Sequence, residues 1–218
     1  MIELSKVKKR YGSTDVLRSV DLTVGEGEFT VIRGKSGSGK TTLLKIIGLL
    51  ETPDDGKVKL MNKDVDDLSD NERSDLQLHH IGFVFQFFNL IPSLKIIENI
   101  ELPLALAGLS RTERKKKALN LLTVFGLNGF ANRFPETLSG GERQRIAILR
   151  ALANEPEIIL ADEPTSSLDD ENSELLMNLF ADINMKRKIA IIMTTTELSE
   201  SLPSTKDFLL KEGTLISL

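Results

Sequence analysis

The sequence predicts an α/β fold in three parts: a largely parallel sheet covered by helices, an antiparallel β-subdomain ahead of it, and a helical subdomain inserted within it. Three observations carry that prediction. Short strand-like runs open the chain, a glycine-rich loop from Gly34 to Thr41 links a strand to a helix, and strand and helix alternate again after a long strand-free stretch. Alternation of that kind argues for parallel strands joined by crossover helices.

The opening strands are Ile2 to Val7, Asp21 to Val24 and Glu28 to Arg33, punctuated by Gly12 and the turn Gly25-Glu26-Gly27. A mostly antiparallel start is expected. From Lys40 the apolar residues Leu43, Leu44, Ile46, Ile47 and Leu50 recur at helical spacing. A strand over Lys57 to Leu60 follows, and then the polar stretch Asp64 to Asp75, where Ser69 and Glu72 form a capping box that announces a helix. Strand Ile81 to Phe85 puts Phe83 and Phe85 on one face, where they are expected in the core. Ile96 to Phe134 reads as helices without a strand, and 88–140 approximates the inserted helical subdomain of a single domain spanning 1–218. Within it the basic run Arg111 to Lys117 opens a helix and is interrupted by Glu113, which predicts a solvated helix face and not a nucleic-acid surface. Strand Ile158 to Ala161, helix Glu171 to Asn184, strand Ile189 to Met193 and a hairpin around Gly213 complete the pattern.

Composition excludes several function classes. The net charge is −4 over 218 residues, so the whole-molecule field does not favour nucleic acid or an anionic membrane. There are no cysteines, hence no disulfides or thiolate metal sites. The start MIELSKVKKRYG has no apolar h-region, and no apolar run approaches the roughly 18 residues that span a bilayer. His79 and His80 are adjacent and have no third histidine to complete a metal site, so they read as structural.

Chemistry concentrates in three places. Gly34-Lys35-Ser36-Gly37-Ser38-Gly39-Lys40-Thr41 fits the GxxxxGK[ST] pattern and sits between a strand and a helix, as that motif requires. Its glycines let successive N–H groups point inward at phosphate, Lys40 reaches the β- and γ-phosphates, and the Thr41 hydroxyl can ligate Mg²⁺. The run Ile158 to Ala161 ends in Asp162 and Glu163, at the strand end where open α/β sheets place ligands. Asp162 would hold Mg²⁺, and Glu163 would take a proton from an attacking water. Two acids after a strand also read as a plain helix start. In Leu138 to Arg145, LSGGERQR, Ser139 and Glu142 form a second capping box, while Gly140 and Gly141 put no side chain over the helix N-terminus and leave its N–H groups open to an anion. That stretch equally reads as an ordinary capped helix.

Taken together, these residues resemble the ATP-binding cassette (ABC) ATPases over nearly the whole chain, with the motifs in the family's order. The signature LSGGQ stands here as Leu138-Ser139-Gly140-Gly141-Glu142. Gln86 matches the glutamine that senses Mg²⁺ and nucleotide, Tyr11 the aromatic that stacks on adenine, and Val16 a position that often packs the base. Thr42 continues the phosphate-binding run, and Ser166-Ser167-Leu168-Asp169 matches the loop that crosses between subunits. The resemblance implies a P-loop NTPase core and a head-to-tail dimer, identical or mixed, with ATP held between one subunit's phosphate loop and its partner's signature helix. It also implies an integral membrane permease as partner, and a cytoplasmic chain held peripherally on the inner face of the membrane through it.

Within the family, Ile81 to Gln86, Phe88 to Pro92 and Glu98 to Leu104 look most like the lipoprotein-releasing and macrolide-exporting type. Phe87 departs from the glutamine expected there. A second departure bears on mechanism: Thr195-Thr196-Glu197 stands where the family has Thr-His-Asp, so Thr196 occupies the switch-histidine position. A threonine hydroxyl donates a hydrogen bond but carries no charge and does not titrate near neutrality. The expectation is retained ATP binding with slow hydrolysis. Two other readings remain: an ABC ATPase that signals across the membrane, as in cell division, and an ATP-gated binding module that scarcely hydrolyses. No long heptad-bearing insertion of the DNA-repair relatives separates the phosphate loop from the signature.

Overall fold

Alternating burial along Ile2–Tyr11 and Thr14–Val24 makes these runs an antiparallel ribbon, β1 and β2, joined at Gly12-Ser13. Both strands are longer than the sequence pattern suggests. The run from Ser5 to Arg10, polar but for the buried Val7, breaks the alternation without ending the pairing, because register shifts between Leu4 and Val7, Val7 and Lys9, and Lys9 and Arg10 absorb it. Lys6 takes a φ of 51° at the first of these. Bulges of this kind bend a strand and leave the ladder on either side intact.

The computed structural model describes residues 1–198 and 202–218. After the ribbon come β3 (Phe29–Arg33), α1 (Lys40–Ile47), β4 (Asp55–Leu60), β5 (Lys63–Asp64), α2 (Asp70–His80), β6 (Ile81–Val84), α3 (Ile96–Leu106), α4 (Arg111–Val124), α5 (Gly140–Ala151), β7 (Ile158–Asp162), α6 (Asp170–Arg187), β8 (Ala190–Thr195), β9 (Lys206–Lys211) and β10 (Thr214–Ser217). The strands form one sheet in the order β5-β4-β1-β2-β10-β9-β3-β8-β7-β6. From β5 to β2 the pairing is antiparallel, and from β9 through β3, β8 and β7 to β6 it is parallel. The two parts meet at β10, which joins β2 through the single pair Thr214 and Ser19.

Every residue of β3 and β8 is buried, as expected for central parallel strands with helices on both faces. Ile32, Leu160 and Ile192 face one cluster with Leu43, Ile46 and Ile47 of α1 and with Leu4, Val20 and Leu22 of the ribbon. The alternate residues Val31, Ile159 and Ile191 face Phe180 and Ile183 of α6. Each such fully buried aliphatic contributes about 1.5–3 kcal/mol relative to exposure. A third cluster joins Ile96, Ile100 and Leu104 of α3 to Leu121 and Leu122 of α4 and to Ile146 and Leu149 of α5. Among the described residues no helix is long and apolar enough to cross a membrane.

Ser69, Ser110 and Ser139 cap α2, α4 and α5 with reciprocal bonds to Glu72, Glu113 and Glu142. The Ser69 and Ser110 hydroxyls, and at Glu142 the Ser139 N–H, hold these carboxyls below the ordinary glutamate range. Their stabilisation is complete above the unfolded-state pKa and is lost as pH falls through the lowered folded-state values. The basic run Arg111 to Lys117 forms the first half of α4, mostly exposed.

Two local expectations are corrected. Strand β6 stops at Val84, so Phe85 has already left the sheet; both rings are half-buried, and of the two Phe83 alone packs against the core cluster. Their rings stack with centroids 5.7 Å apart and line a 280 Å³ groove with Leu78, Leu102, Pro103 and Leu106. In the other direction, β8 runs two residues past Met193, because Thr194 and Thr195 continue the ladder opposite Ile32 and Arg33.

Candidate functional site

The buried strand β3 delivers the chain into a loop, residues 34–39, whose tip at Lys35, Ser36 and Gly37 is exposed. Gly37 and Gly39 take φ of 75° and 101°, and Gly39 in that conformation starts α1 without a side-chain cap. A Cβ on Gly39 would stand 2.9 Å from Val16 Cγ1, so only glycine lets the loop lie against β2. The uncapped helix start and its dipole suit an anion. Ser38 Oγ points into the same curl, buried and without a hydrogen-bond partner. The buried Lys40 ammonium donates to Gly34 O at 2.8 Å and Lys35 O at 3.1 Å, and pairs with Glu163 Oε1 at 3.1 Å.

Adjacent parallel strands bring the next groups to the same end of the sheet. Asp162 closes β7 and accepts from two hydroxyls, Thr41 Oγ1 at 2.8 Å and Thr194 Oγ1 at 2.7 Å. A carboxylate beside a hydroxyl is the hard-oxygen donor set that Mg²⁺ takes, so Thr41 and Asp162 fit that ion. Glu163 turns out of the strand with φ 44°, its N–H held by Thr194 O at 3.2 Å and Thr194 Oγ1 at 3.1 Å. A glutamate in this left-handed region is strained, on the order of 1–3 kcal/mol, and is kept there by those bonds. Glu163 lines a 390 Å³ cavity with Thr165, Ser166, Thr195 and Thr196.

Thr196 is therefore placed beside Glu163, half-buried, just beyond β8. Its neighbours are pinned: Glu197 N–H donates to Thr195 Oγ1 at 3.1 Å, and Arg33 Nη1 donates to Glu197 O at 2.7 Å. Arg33 is 4% exposed and forms a bidentate pair with Asp207, with contacts of 2.8 to 2.9 Å. Gln86, half-buried, stands two residues past the end of β6, the strand that pairs with β7.

Tyr11 ends β1, 46% exposed, with its hydroxyl donating to Glu51 Oε1 at 2.5 Å and its ring 5.6 Å from the Lys9 ammonium. Desolvation first, then the Glu51 bond, raises the Tyr11 pKa, so the hydroxyl stays a donor. Thr42 lies beside it. Tyr11, Val16 and Thr42 thus gather around the start of α1.

At the start of α5, Ser139 Oγ accepts from Glu142 N at 3.3 Å and the Glu142 carboxylate accepts from Ser139 N at 2.7 Å. The two glycines differ in the space beside them. A Cβ on Gly140 would meet nothing nearer than 3.6 Å. On Gly141 it would lie 2.2 Å from Asn172 Oδ1. The Asn172 amide cannot simply retreat, because its Nδ2 donates to the Asp169 carboxylate at 2.9 and 3.1 Å. Gly141 is thus a packing requirement between α5 and the start of α6. Gly141→Ala is expected to destabilise the chain by about 1–3 kcal/mol, the usual cost of overpacking. Gly140→Ala should change it by less than about 1 kcal/mol. Thermal unfolding of the two variants checks this, and equal Tm values would contradict it.

Sequence reasoning did not single out Gln144 or Arg33. The signal for Gln144 was present: with Gly141, Ile148 and Leu152 it falls on one buried stripe of α5, as the polar member of an apolar row.

The profile of the family described as ABC transporter matches residues 17–166. Over 195 residues the chain is 42% identical to the lipoprotein-releasing system ATP-binding protein LolD of Bacteroides fragilis, covering 89% of this chain and 90% of that one. It is 43% identical over 199 residues to ABC transporter H family member 2 of Dictyostelium discoideum, covering 90% of this chain but only 39% of that protein's length. Among solved structures it superposes with a TM-score of 0.89 on the dimeric post-hydrolysis state of the ATP-binding cassette MJ0796, bound to ADP and Pi. That protein, from Methanocaldococcus jannaschii, is 42% identical in the superposition, which covers 99% of this chain and 96% of that one.

Proposed function

Since the chain belongs to the ABC transporter family of ATP-binding ATPase subunits, we propose that two such subunits close head to tail around ATP and that its hydrolysis drives a membrane permease. The observation that carries this reading is the cluster at the sheet end, where Lys40, Thr41, Asp162, Glu163 and Thr194 are linked by contacts of 2.7 to 3.1 Å. In it, residues 34–42 hold the phosphates, with Lys40 on the β- and γ-oxygens. Tyr11 and Val16 flank the base. Thr41 and Asp162, with Gln86, would hold Mg²⁺, which would supply charge neutralisation at the phosphate oxygens. Ser139, Gly140, Gly141 and Glu142 face the γ-phosphate of the ATP carried by the partner.

Hydrolysis then needs one water in line with the γ-phosphorus. Its oxygen attacks while the bond to the β–γ bridging oxygen breaks, its proton passes to the Glu163 carboxylate, and ADP and phosphate leave. Thr196 lines the cavity that this water would enter. A neutral hydroxyl there holds the water without the charge or titration of imidazole, which supports binding with slow turnover. The same feature favours, as the second reading, a nucleotide-gated clamp that turns over too slowly to act as a motor.

The names of the relatives place comparable subunits in transporters, and this chain's candidate surface for a permease is the groove at Phe83, Phe85 and Leu106, with Phe87 73% exposed beside it. That partner would hold the chain on the cytoplasmic face of the membrane. Sedimentation tests the core of the proposal: ATP with Mg²⁺ is expected to convert the 24.2 kDa chain into a species of twice that mass. A chain that remains monomeric with and without nucleotide would refute the sandwich.

A further inference from the structure

Gln144 is fully buried, and its amide nitrogen donates to two carbonyls at once, Phe85 O at 3.3 Å and Pro164 O at 3.0 Å. Phe85 immediately precedes Gln86, and Pro164 immediately follows Glu163. One side chain therefore fixes the backbone beside both groups that flank the proposed reaction. The two acceptors also fix the amide's orientation, since turning it over would set Gln144 Oε1 against two carbonyl oxygens.

Two other side chains of the same helix hold the same loop. Arg150 donates to Phe88 O at 3.0 Å and to Asn89 O, and the Arg143 guanidinium lies 5.1 Å from the centre of the Phe88 ring. Phe88 and Asn89 carry φ of 58° and 50°, consecutive left-handed residues that need such support. At its other end α5 begins with the Ser139 cap and the open Gly140. Five residues of α-helix, about 7–8 Å, separate that end from Gln144. Over such a length a hydrogen-bonded helix moves as one piece.

We propose that Gln144 is a positioning residue that makes α5 a rigid link: capture of the partner's nucleotide at Ser139 and Gly140 sets Gln86 and Glu163 of the same chain in register for hydrolysis. This rests on the sandwich reading above. It goes further in assigning the route by which each active site senses that the opposite one is filled. The alternative is that Gln144 only satisfies two carbonyls, in which case its loss lowers stability and nothing specific to turnover.

Gln144→Met keeps the volume and removes the donor, and Arg150→Met releases the loop at a second point without touching Gln144. For both, three quantities are measured beside the unmodified chain: affinity of the isolated subunit for a fluorescent ATP analogue, single-turnover hydrolysis, and the Hill coefficient for ATP. The expected result is affinity within about twofold, hydrolysis slowed by about 10- to 100-fold, the effect of small misplacement at a reacting centre, and a Hill coefficient reduced toward one. Arg150→Met should shift the same quantities in the same direction by less. Unchanged turnover in a folded Gln144→Met chain overturns the proposal. So does a loss of affinity that matches the loss of rate, since that is what a merely loosened fold gives. Should the unmodified chain fail to dimerise with ATP, the sandwich reading itself falls, and that result is separable because it involves no variant.

Discussion

A Glu163→Gln chain is expected to hydrolyse ATP about 10²- to 10⁴-fold more slowly than the unmodified chain, while still forming the ATP-dependent dimer. The magnitude is that of a positioned acid–base group. Glutamine has nearly the shape of glutamate, so the turn held by Thr194 O and Thr194 Oγ1 has no reason to change. What is lost is the ability to accept a proton, since an amide oxygen is a far weaker base than a carboxylate. Asp162 keeps both of its hydroxyl donors, so the groups proposed for Mg²⁺ stay where they are. Phosphate release measured over hours, with sedimentation run in parallel, checks both halves. Turnover within about threefold of the unmodified chain would remove Glu163 from the role of base.

Thr196→His is expected to act in the opposite direction and raise turnover by at least about 10²-fold, equivalent to about 2.7 kcal/mol of barrier. The position is built to receive it. Thr196 borders the 390 Å³ cavity it shares with Glu163, so a longer side chain enters space and not packed core. The Arg33 bond to Glu197 O and the Glu197 bond to Thr195 Oγ1 hold the backbone that would aim the imidazole. The pH profile supplies an independent reading. An imidazole titrates near 6.5 in the absence of perturbation, so the variant gains a limb in that region that the threonine chain lacks. Equal rates for the two chains would dismiss the proposal that position 196 limits hydrolysis.

Much of this site is legible in the chain because its chemistry is local. The loop from Gly34 to Thr41 carries its spacing within itself, and the Ser139 and Glu142 cap forms the two bonds that a four-residue pattern predicts. What stays hidden depends on residues far apart in sequence. Gly141 is small because Asn172 arrives from another helix. Gln144 stands out in sequence as a polar member of an apolar row, but its partners are set only when the chain beyond β6 and β7 arrives beneath it. Strand ends fail for a related reason: hydrophobic alternation stops at Met193, yet Thr194 is drawn into the ladder and its hydroxyl binds Asp162. Phe85 errs the other way, apolar and in phase with Phe83 but already outside the sheet.

The contact between Lys40 and Glu163 carries a consequence for nucleotide affinity. The ammonium is 3% exposed and already has three oxygen neighbours, two loop carbonyls and the carboxylate. On the proposed binding mode, a phosphate reaching Lys40 would compete for an occupied cation, and the apparent affinity would be that of an exchange. Parting Lys40 from Glu163 would then offset part of the phosphate-binding free energy, and the same event would free that carboxylate when substrate is present.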